Sequence, residues 1–239
     1  MEFKRFEQIL SDQIKEIGMK LNQGQAEKFY NYMGLLVEWN GKMNLTAITE
    51  PEEVITKHFV DSLTIQGCIE ENGSVVDVGT GAGFPGIPLK IMREDVEVTL
   101  LDSLNKRIVF LEEMINKLEL EKTRGIHGRA EELGRNNEYR EKYNVAVSRA
   151  VAPLNSLLEY MSPFVIRGGK LICMKGPKLE EELASSEKAI RILGLEIEKI
   201  EKSILPNTQI ERNVLVLKKV RDISEKYPRK VVNIKKDPL

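Results

Sequence analysis

Ser74-Val75-Val76-Asp77-Val78-Gly79-Thr80-Gly81-Ala82-Gly83-Phe84-Pro85-Gly86-Ile87-Pro88-Leu89 is the stretch that decides the fold of this 239-residue chain. Val75 to Val78 is a β-branched run carrying one acid, and the glycines after it force a tight turn into a segment rich in Leu and Ile. The order is strand, glycine loop, helix. Glycines at 79, 81 and 83 permit positive φ and remove the side chains that would hold a ligand away from main-chain N–H groups. The loop is a candidate nucleotide cradle.

Two nucleotides compete for it. Gly81-Ala82-Gly83-Phe84-Pro85-Gly86 matches the dinucleotide fingerprint, and Asp102 lies at a suitable distance downstream to hold a ribose hydroxyl. Asp77 points the other way. A carboxylate at the strand end repels a pyrophosphate, yet it suits a ligand whose tail carries an ammonium and whose centre is a sulfonium. S-adenosylmethionine has that charge pattern. A glycine turn without any ligand is the plain alternative; the glycine spacing, the strand-end acid and Asp102 together argue against it.

Downstream of the loop, β-rich runs alternate with helical stretches. Strands are expected at 96–101, 123–126, 144–147 and 170–174, with helices through Met92 and from about Leu104 to Leu118. This rhythm predicts an α/β, Rossmann-like fold with a mostly parallel twisted sheet. Leu195 to Ile200 and Val214 to Val220 have only a polar turn between them, which predicts an antiparallel C-terminal edge.

Upstream, Phe3, Phe6, Ile9, Leu10, Ile14 and Ile17 recur at helical spacing, with Gly18 as a stop. A second helix is expected from Gln23 to Asn40, closed by Gly41, with Ala26, Phe29, Tyr30, Met33, Leu36 and Trp39 facing inward. Thr49 and Glu52 read as a capping box for a third helix carrying His58, Phe59, Asp61 and Ser62. The expected organisation is an N-terminal helical extension (1–72), a main α/β domain (73–221) and a basic C-terminal tail (222–239).

Hydrophobic content of 41% and charged content of 31% describe an ordinary globular chain. No apolar run approaches the roughly 18 residues of a membrane span, and Met1-Glu2-Phe3-Lys4-Arg5 lacks the apolar core of a signal peptide. A cytoplasmic protein is expected. Cys68 and Cys173 fall in unrelated segments, and His58 and His127 lie far apart, so neither disulfide nor metal site is expected. The net charge of −1 hides an asymmetry: residues 1–70 carry seven Lys and Arg against eleven Asp and Glu, whereas residues 218–239 carry eight against three. Phosphate contact and a solvated tail are both open readings of the basic end.

In a doubly wound sheet the ligand lies at the carboxyl ends of the strands. Asp102 follows the second strand, where its two oxygens match two ribose hydroxyls. Ala130-Glu131 follows the third, at a loop-to-helix junction where backbone can approach an adenine edge. Arg149 follows the fourth, so its guanidinium should reach the cleft, for a carboxylate, a phosphate or a structural ion pair. No Asn/Asp-Pro-Pro-aromatic run occupies that place, as adenine-amino methylation needs, and neither cysteine is placed as a nucleophile. Chemistry that needs no strong base and no covalent step remains. Methylation of guanine N7 qualifies, because its in-plane lone pair is free and only alignment is required.

The glycine stretch, with Glu38-Trp39-Asn40, Asn44-Leu45-Thr46, His58-Phe59-Val60-Asp61-Ser62, Asp102-Ser103 and Ser148-Arg149-Ala150, resembles the bacterial small-subunit ribosomal RNA methyltransferase G family, formerly glucose-inhibited division protein B. The likeness spans nearly the whole chain. It implies transfer of methyl from S-adenosylmethionine to a guanine N7 in a 16S rRNA loop near the decoding centre, with cofactor contacts on Gly79, Phe84, Ala130, Glu131 and Arg149. The expected cofactor set is therefore Asp77, Gly79, Gly81, Phe84, Asp102, Ala130, Glu131 and Arg149, with no catalytic residue beyond positioning. Asn44, His58, Arg129 and Lys175 are the substrate-proximal candidates, and 16S rRNA or the small ribosomal subunit is the expected partner of a monomer. The rivals are a non-catalytic rRNA-binding assembly factor and, disfavoured by Asp77, an NAD-dependent oxidoreductase.

Overall fold

Successive side chains of β1 (Ser74–Val78) enter different cores: Val75 joins one apolar cluster, Val76 and Val78 the other. The same alternation returns at the far side of the sheet, where Val214 and Val216 face the first cluster and Leu215 and Leu217 the second. A strand covered on both faces has no room for polar alternation, which is why these segments read as continuous apolar runs.

The computed structural model describes residues 1–239. Its sheet contains β1, β2 (Glu97–Asp102), β3 (Thr123–His127), β4 (Tyr143–Arg149), β5 (Val165–Lys175), β6 (Leu195–Ile204) and β7 (Glu211–Lys219), in the order β3-β2-β1-β4-β5-β7-β6. β1 to β5 pair in parallel, with Asp77 level with Leu100 on one side and Val147 on the other. β7 is antiparallel to both β5 and β6. The expected antiparallel edge is present, with β7 inserted between β5 and β6. Strand order reverses between β1 and β4, and this opens a crevice at their carboxyl ends.

One face is covered by α1 (Phe3–Glu16), α2 (Gln23–Met43), α5 (Gly86–Met92), α6 (Asn105–Lys117) and a composite rod. In that rod α3 (Pro51–Val54) runs through a π-helical turn (Ile55–Val60) into α4 (Asp61–Leu63). Residues 1–72 therefore share one core with the sheet. The other face holds α8 (Leu154–Met161), α9 (Leu179–Ala184) and α10 (Glu187–Ile192), while α7 (Ala130–Leu133) follows β3 and α11 (Val231–Lys236) closes the chain. No helix is long and apolar enough to cross a membrane.

Local expectations met and missed have simple causes. Gly18, at φ +78°, ends α1 with paired bonds from Gly18 N to Lys15 O and from Met19 N to Ile14 O. Gly41 does not close α2. The helix runs through it to Met43, and Asn44 supplies the left-handed cap at φ 48°. The Thr49–Glu52 capping box is absent: Glu50 is the N-cap without a side-chain bond, and Glu52 instead pairs with Arg5 at 2.7 Å. On α2 the fully buried tyrosine is Tyr32 rather than Tyr30, because Phe29, Tyr32, Met33 and Leu36 lie on one helical stripe. Tyr30 packs at the margin between Phe3 and Phe6 and donates to Met1 O.

Candidate functional site

Apart from Ala82 N, the main-chain N–H groups of the glycine loop are spent inside the protein. Gly79 N and Thr80 N both donate to Leu101 O at 2.9 and 3.0 Å, and Gly83 N and Phe84 N donate to Thr80 O. Gly81 N donates to Asp102 Oδ2 at 3.0 Å, and Gly86 N, at the start of α5, donates to Asp77 Oδ2 at 2.8 Å. A diphosphate would need these donors and would find them already taken, with the Asp102 carboxylate beside it in the cleft. The anion site at the helix start is filled by the chain's own Asp77.

Asp77 stands at the end of β1, as the sequence reading had it, but its side chain turns under the loop. It is fully buried under the loop, accepts from Thr80 Oγ1 at 2.7 Å as well as from Gly86, and is not part of the cleft wall. Its job here is to hold the turn. Gly86 is required for that approach, since a Cβ there would come within 2.4 Å of Leu100 Cδ2 and 2.9 Å of Asp77 Oδ2. Burial pushes the Asp77 carboxyl up to about 7 against the opposing pull of Thr80, Gly86 and Arg149, and its Oδ1 has no partner.

Asp102 ties the end of β2 to the loop. Besides Gly81 N it accepts from Leu104 N at 2.9 Å and from Arg107 Nη1 at 3.1 Å. A carboxylate offers about four lone-pair sites, and the half-exposed Arg107 can withdraw into solvent, so room for a hydroxyl remains.

On the opposite wall the N-terminal extension meets the sheet. Arg149, at the end of β4, donates to Asp61 Oδ2 at 3.0 Å and Lys57 O at 3.1 Å, and its Nη2 faces His58 Nδ1 at 3.3 Å. Asp61, buried, also takes Arg212 Nε on its other oxygen at 3.0 Å. The guanidinium of Arg149 lies over the Phe84 ring, 4.9 Å from its centroid, and His58 stacks on the same ring at 4.4 Å. Tyr32 completes the stack at 5.4 Å, with its hydroxyl donating to Ala82 O at 2.6 Å. Phe84 is thus the hinge pin between loop and extension. The ion-pair alternative for Arg149 is realised, and the residue still lines the cleft.

His58 Nδ1 lies between the Arg149 guanidinium at 3.3 Å, which only donates, and Lys57 O at 3.2 Å, which only accepts, while Nε2 meets Thr46 Oγ1 at 2.8 Å, so the tautomer sets which Nδ1 contact is made. Burial and the Arg149 charge push His58 down to about 4, leaving it neutral near pH 7. Because the folded state resists a proton that the unfolded chain accepts near 6.5, His58 contributes stability above that pH and loses it as pH falls through about 4. The expected contribution is about 3 kcal/mol. Urea titrations of wild type and His58→Gln at pH 7 and pH 4.5 check it: the wild type should lose more stability between the two than the variant. The difference is needed because Asp77 works in the opposite sense, its contribution present below about 4 and fading as pH rises through about 7.

These walls enclose a cleft of about 530 Å³ at the carboxyl ends of β1, β2, β3 and β4. Gly79, Gly81, Phe84, Asp102, Arg129, Ala130, Glu131, His58 and Arg149 all line it. Gly81, at φ +63°, opens onto free space; Glu131 lines the cleft, while its Oε1 is itself buried with no hydrogen-bond partner, the Arg129 guanidinium standing 3.8 Å away. An open glycine edge, an acid at the β2 end and a second acid lining the cleft after β3 fit an adenosine whose far end carries positive charge. Two candidates lie outside. Lys175 is buried and donates to Glu182 Oε2 at 2.7 Å and Ala152 O at 3.0 Å, and Asn44 is the exposed cap of α2. Sequence reasoning missed Tyr32, Arg107 and Val231, and reached Thr46 only within a quoted motif and Lys235 only within the basic end. Helical periodicity could have found Tyr32; nothing local marks the others. No group of three or more His, Cys, Asp or Glu side chains is placed to hold a metal ion.

Among solved structures, the sheet and its helices resemble a SAM-dependent methyltransferase from Aquifex aeolicus, with a TM-score of 0.56 at 16% identity, covering 73% of this chain and 96% of that one. TYW2 of M. jannaschii, solved in complex with AdoMet, has a TM-score of 0.53 at 16% identity over 66% of this chain and 74% of its own. These likenesses concern the fold. In sequence the chain is 49% identical to the ribosomal RNA small subunit methyltransferase G of Clostridium botulinum (strain Loch Maree / Type A3), covering 98% of this chain and 99% of the relative. The protein of the same name from Alkaliphilus metalliredigens is also 49% identical, over 97% and 98%. Residues 25–214 match the model of a single family, and with relatives of nearly equal length this establishes that the chain belongs to the rRNA small subunit methyltransferase G family.

Proposed function

We propose that this protein transfers the methyl group of S-adenosylmethionine to N7 of a guanine in 16S rRNA, in the loop near the decoding centre, acting as a monomer in the cytoplasm. The observation that carries the cofactor assignment is the internal use of the loop N–H groups. With Gly79, Thr80, Gly81, Gly83, Phe84 and Gly86 N–H groups closed on Leu101 O, Thr80 O, Asp77 and Asp102, the loop leaves a diphosphate little but Ala82 N, while Asp102 and Glu131 line the cleft that would take an adenosine. That observation disfavours the nicotinamide reading.

Bound S-adenosylmethionine supplies an electrophilic methyl on a sulfonium centre. The chain's own residues hold and align. The Gly79–Gly81 edge and Phe84 form one wall, Asp102 receives ribose hydroxyls, Ala130 and Glu131 take the adenine side, and Arg149 is held ready for the carboxylate tail by Asp61 and Lys57 O. Asp77 acts through the loop and not by contact. Guanine N7 needs no deprotonation, so neutral His58, with both ring nitrogens already hydrogen-bonded, contributes shape and stacking at the mouth. Exposed Arg129 is suited to backbone phosphate.

The deciding experiment incubates the protein with unmethylated small subunits, or their RNA, and tritiated cofactor. Label in guanine supports the enzyme; tight RNA binding without label supports the assembly factor. In calorimetry, Asp102→Ala is expected to weaken S-adenosylmethionine by about 1 to 3 kcal/mol through loss of charge-assisted bonds. An unchanged affinity would remove Asp102 from the ribose site.

A further inference from the structure

The basic C-terminal segment is built into the cleft rim. Arg135 donates to Pro228 O and Lys226 O, both at 2.8 Å, and Arg140 donates to Tyr227 O at 2.9 Å. Arg229 grips the fully buried Glu159 through Nε and Nη2, and its main-chain N reaches Glu159 Oε1 at 2.7 Å. Ile234 and Leu239 are buried. The segment is thereby carried to the site: Val231 and Lys235, on α11, line the same cleft as Gly79, Asp102 and Arg129.

Its cations divide by chemistry. Arg229, with Arg135 and Arg140 beneath it, serves anchoring, whereas Lys230, Lys235 and Lys236 are exposed and pair with no acid. Exposed Arg129 and half-exposed Arg107 stand on the same rim. Asp237 is the one acid from Lys226 onward. Unpaired lysines held on a docked backbone beside an open cleft suit a polyanion whose charges are spaced along a strand, since ammonium groups bind phosphates as point charges without fixed geometry.

We propose that residues 226–239 form a fixed cationic strap whose Lys230, Lys235 and Lys236 grip the phosphate backbone of single-stranded RNA flanking the base that enters the cleft. This rests on the RNA-methylating reading above and assigns it a contact surface. The strap lies beyond residue 214, where the family match ends.

The test is the variant Lys230→Gln/Lys235→Gln/Lys236→Gln, with the triple Lys→Arg variant as the charge-preserving control. Binding of unmethylated 16S RNA is measured from low to moderate salt, along with methylation kinetics. The Gln variant should bind RNA at least 10-fold more weakly at low salt, with the slope of log K against log salt shallower by roughly 2 to 3, as expected for three released phosphate contacts. KM for RNA should rise by a similar factor with kcat changed less than threefold, and the Arg variant should recover most of the loss. Equal RNA affinity and salt slope in wild type and Gln variant would overturn the strap. So would a loss of S-adenosylhomocysteine affinity as large as the RNA loss, which would assign Lys235 to the cofactor. A wild type that neither binds nor methylates RNA sinks the parent reading, whereas a competent wild type matched by its Gln variant sinks only this one.

Discussion

Asp61→Ala is expected to lower the folding free energy by about 3 to 5 kcal/mol, the cost of stranding buried charge. Asp61 is 1% exposed, and its two oxygens are shared between Arg149 and Arg212, so one carboxylate joins α4, the end of β4 and the start of β7. The two guanidiniums differ in what they do once it is gone. Arg212 is a quarter exposed and can turn to water. Arg149 is pinned between the Phe84 face and the extension, and it keeps only Lys57 O and His58 as partners. Most of the loss should therefore come from Arg149. In urea unfolding the double variant Asp61→Ala/Arg149→Met should be more stable than Asp61→Ala alone, since it removes the stranded charge. A single-variant loss below about 1 kcal/mol would mean that Arg149 reaches solvent easily and that the extension does not position it.

Arg229→Ala is expected to cost about as much, about 3 to 5 kcal/mol, for the mirrored reason. Glu159 is wholly buried in α8, and Arg229 is its one cationic partner, aligned as a fork on both oxygens. Removing the fork leaves a carboxylate that the remaining main-chain N–H bond cannot neutralise. The double variant Glu159→Gln/Arg229→Ala should recover part of the loss, and Arg229→Lys should recover little, because an ammonium restores charge without the two parallel bonds. Where the loss is taken locally, the strap undocks and trypsin cuts faster at Lys226 and Lys230. Unchanged stability together with unchanged proteolysis would show that Arg229 is not the anchor.

Legibility in the sequence followed the range of the interaction. The glycine loop, the strands and the helices α5 and α6 came from local spacing and lie close to their expected places, with β5 starting five residues early, whereas α8, α9 and α10 had no expected bounds. Asp102 and Arg149 were readable because the end of a parallel strand is a defined location. Cys68 and Cys173 are both buried, and burial pushes the Cys173 thiol up to about 12.

The electrostatic role first read for Asp77 was a different matter. The residue type and the register were readable, but the direction of its hydrogen bonds depends on a Gly86 nine residues later and on how closely α5 packs. Lys175 looked free because its partner Glu182 sits on α9, and a solvated tail stayed open beside phosphate contact because the tail's anchors, Arg135, Arg140 and Glu159, lie 70 to 93 residues away.

By itself, then, the amino-acid order determined where the strands and the helices beside the glycine loop run, that a parallel sheet would present an acid-flanked glycine loop, and which side chains would stand at its carboxyl edge. Periodicity and turn chemistry act over a few residues and leave their mark in the string. Only the tertiary structure decided which charges are free. An ion pair between α4 and β4, or between α8 and the C-terminus, depends on two chain segments being brought within about 3 Å by packing that neither segment encodes alone. The cleft wall at the carboxyl ends of the strands belongs to the first kind of information. The hold on Arg149, the burial of Asp77 and the strap on the cleft rim belong to the second.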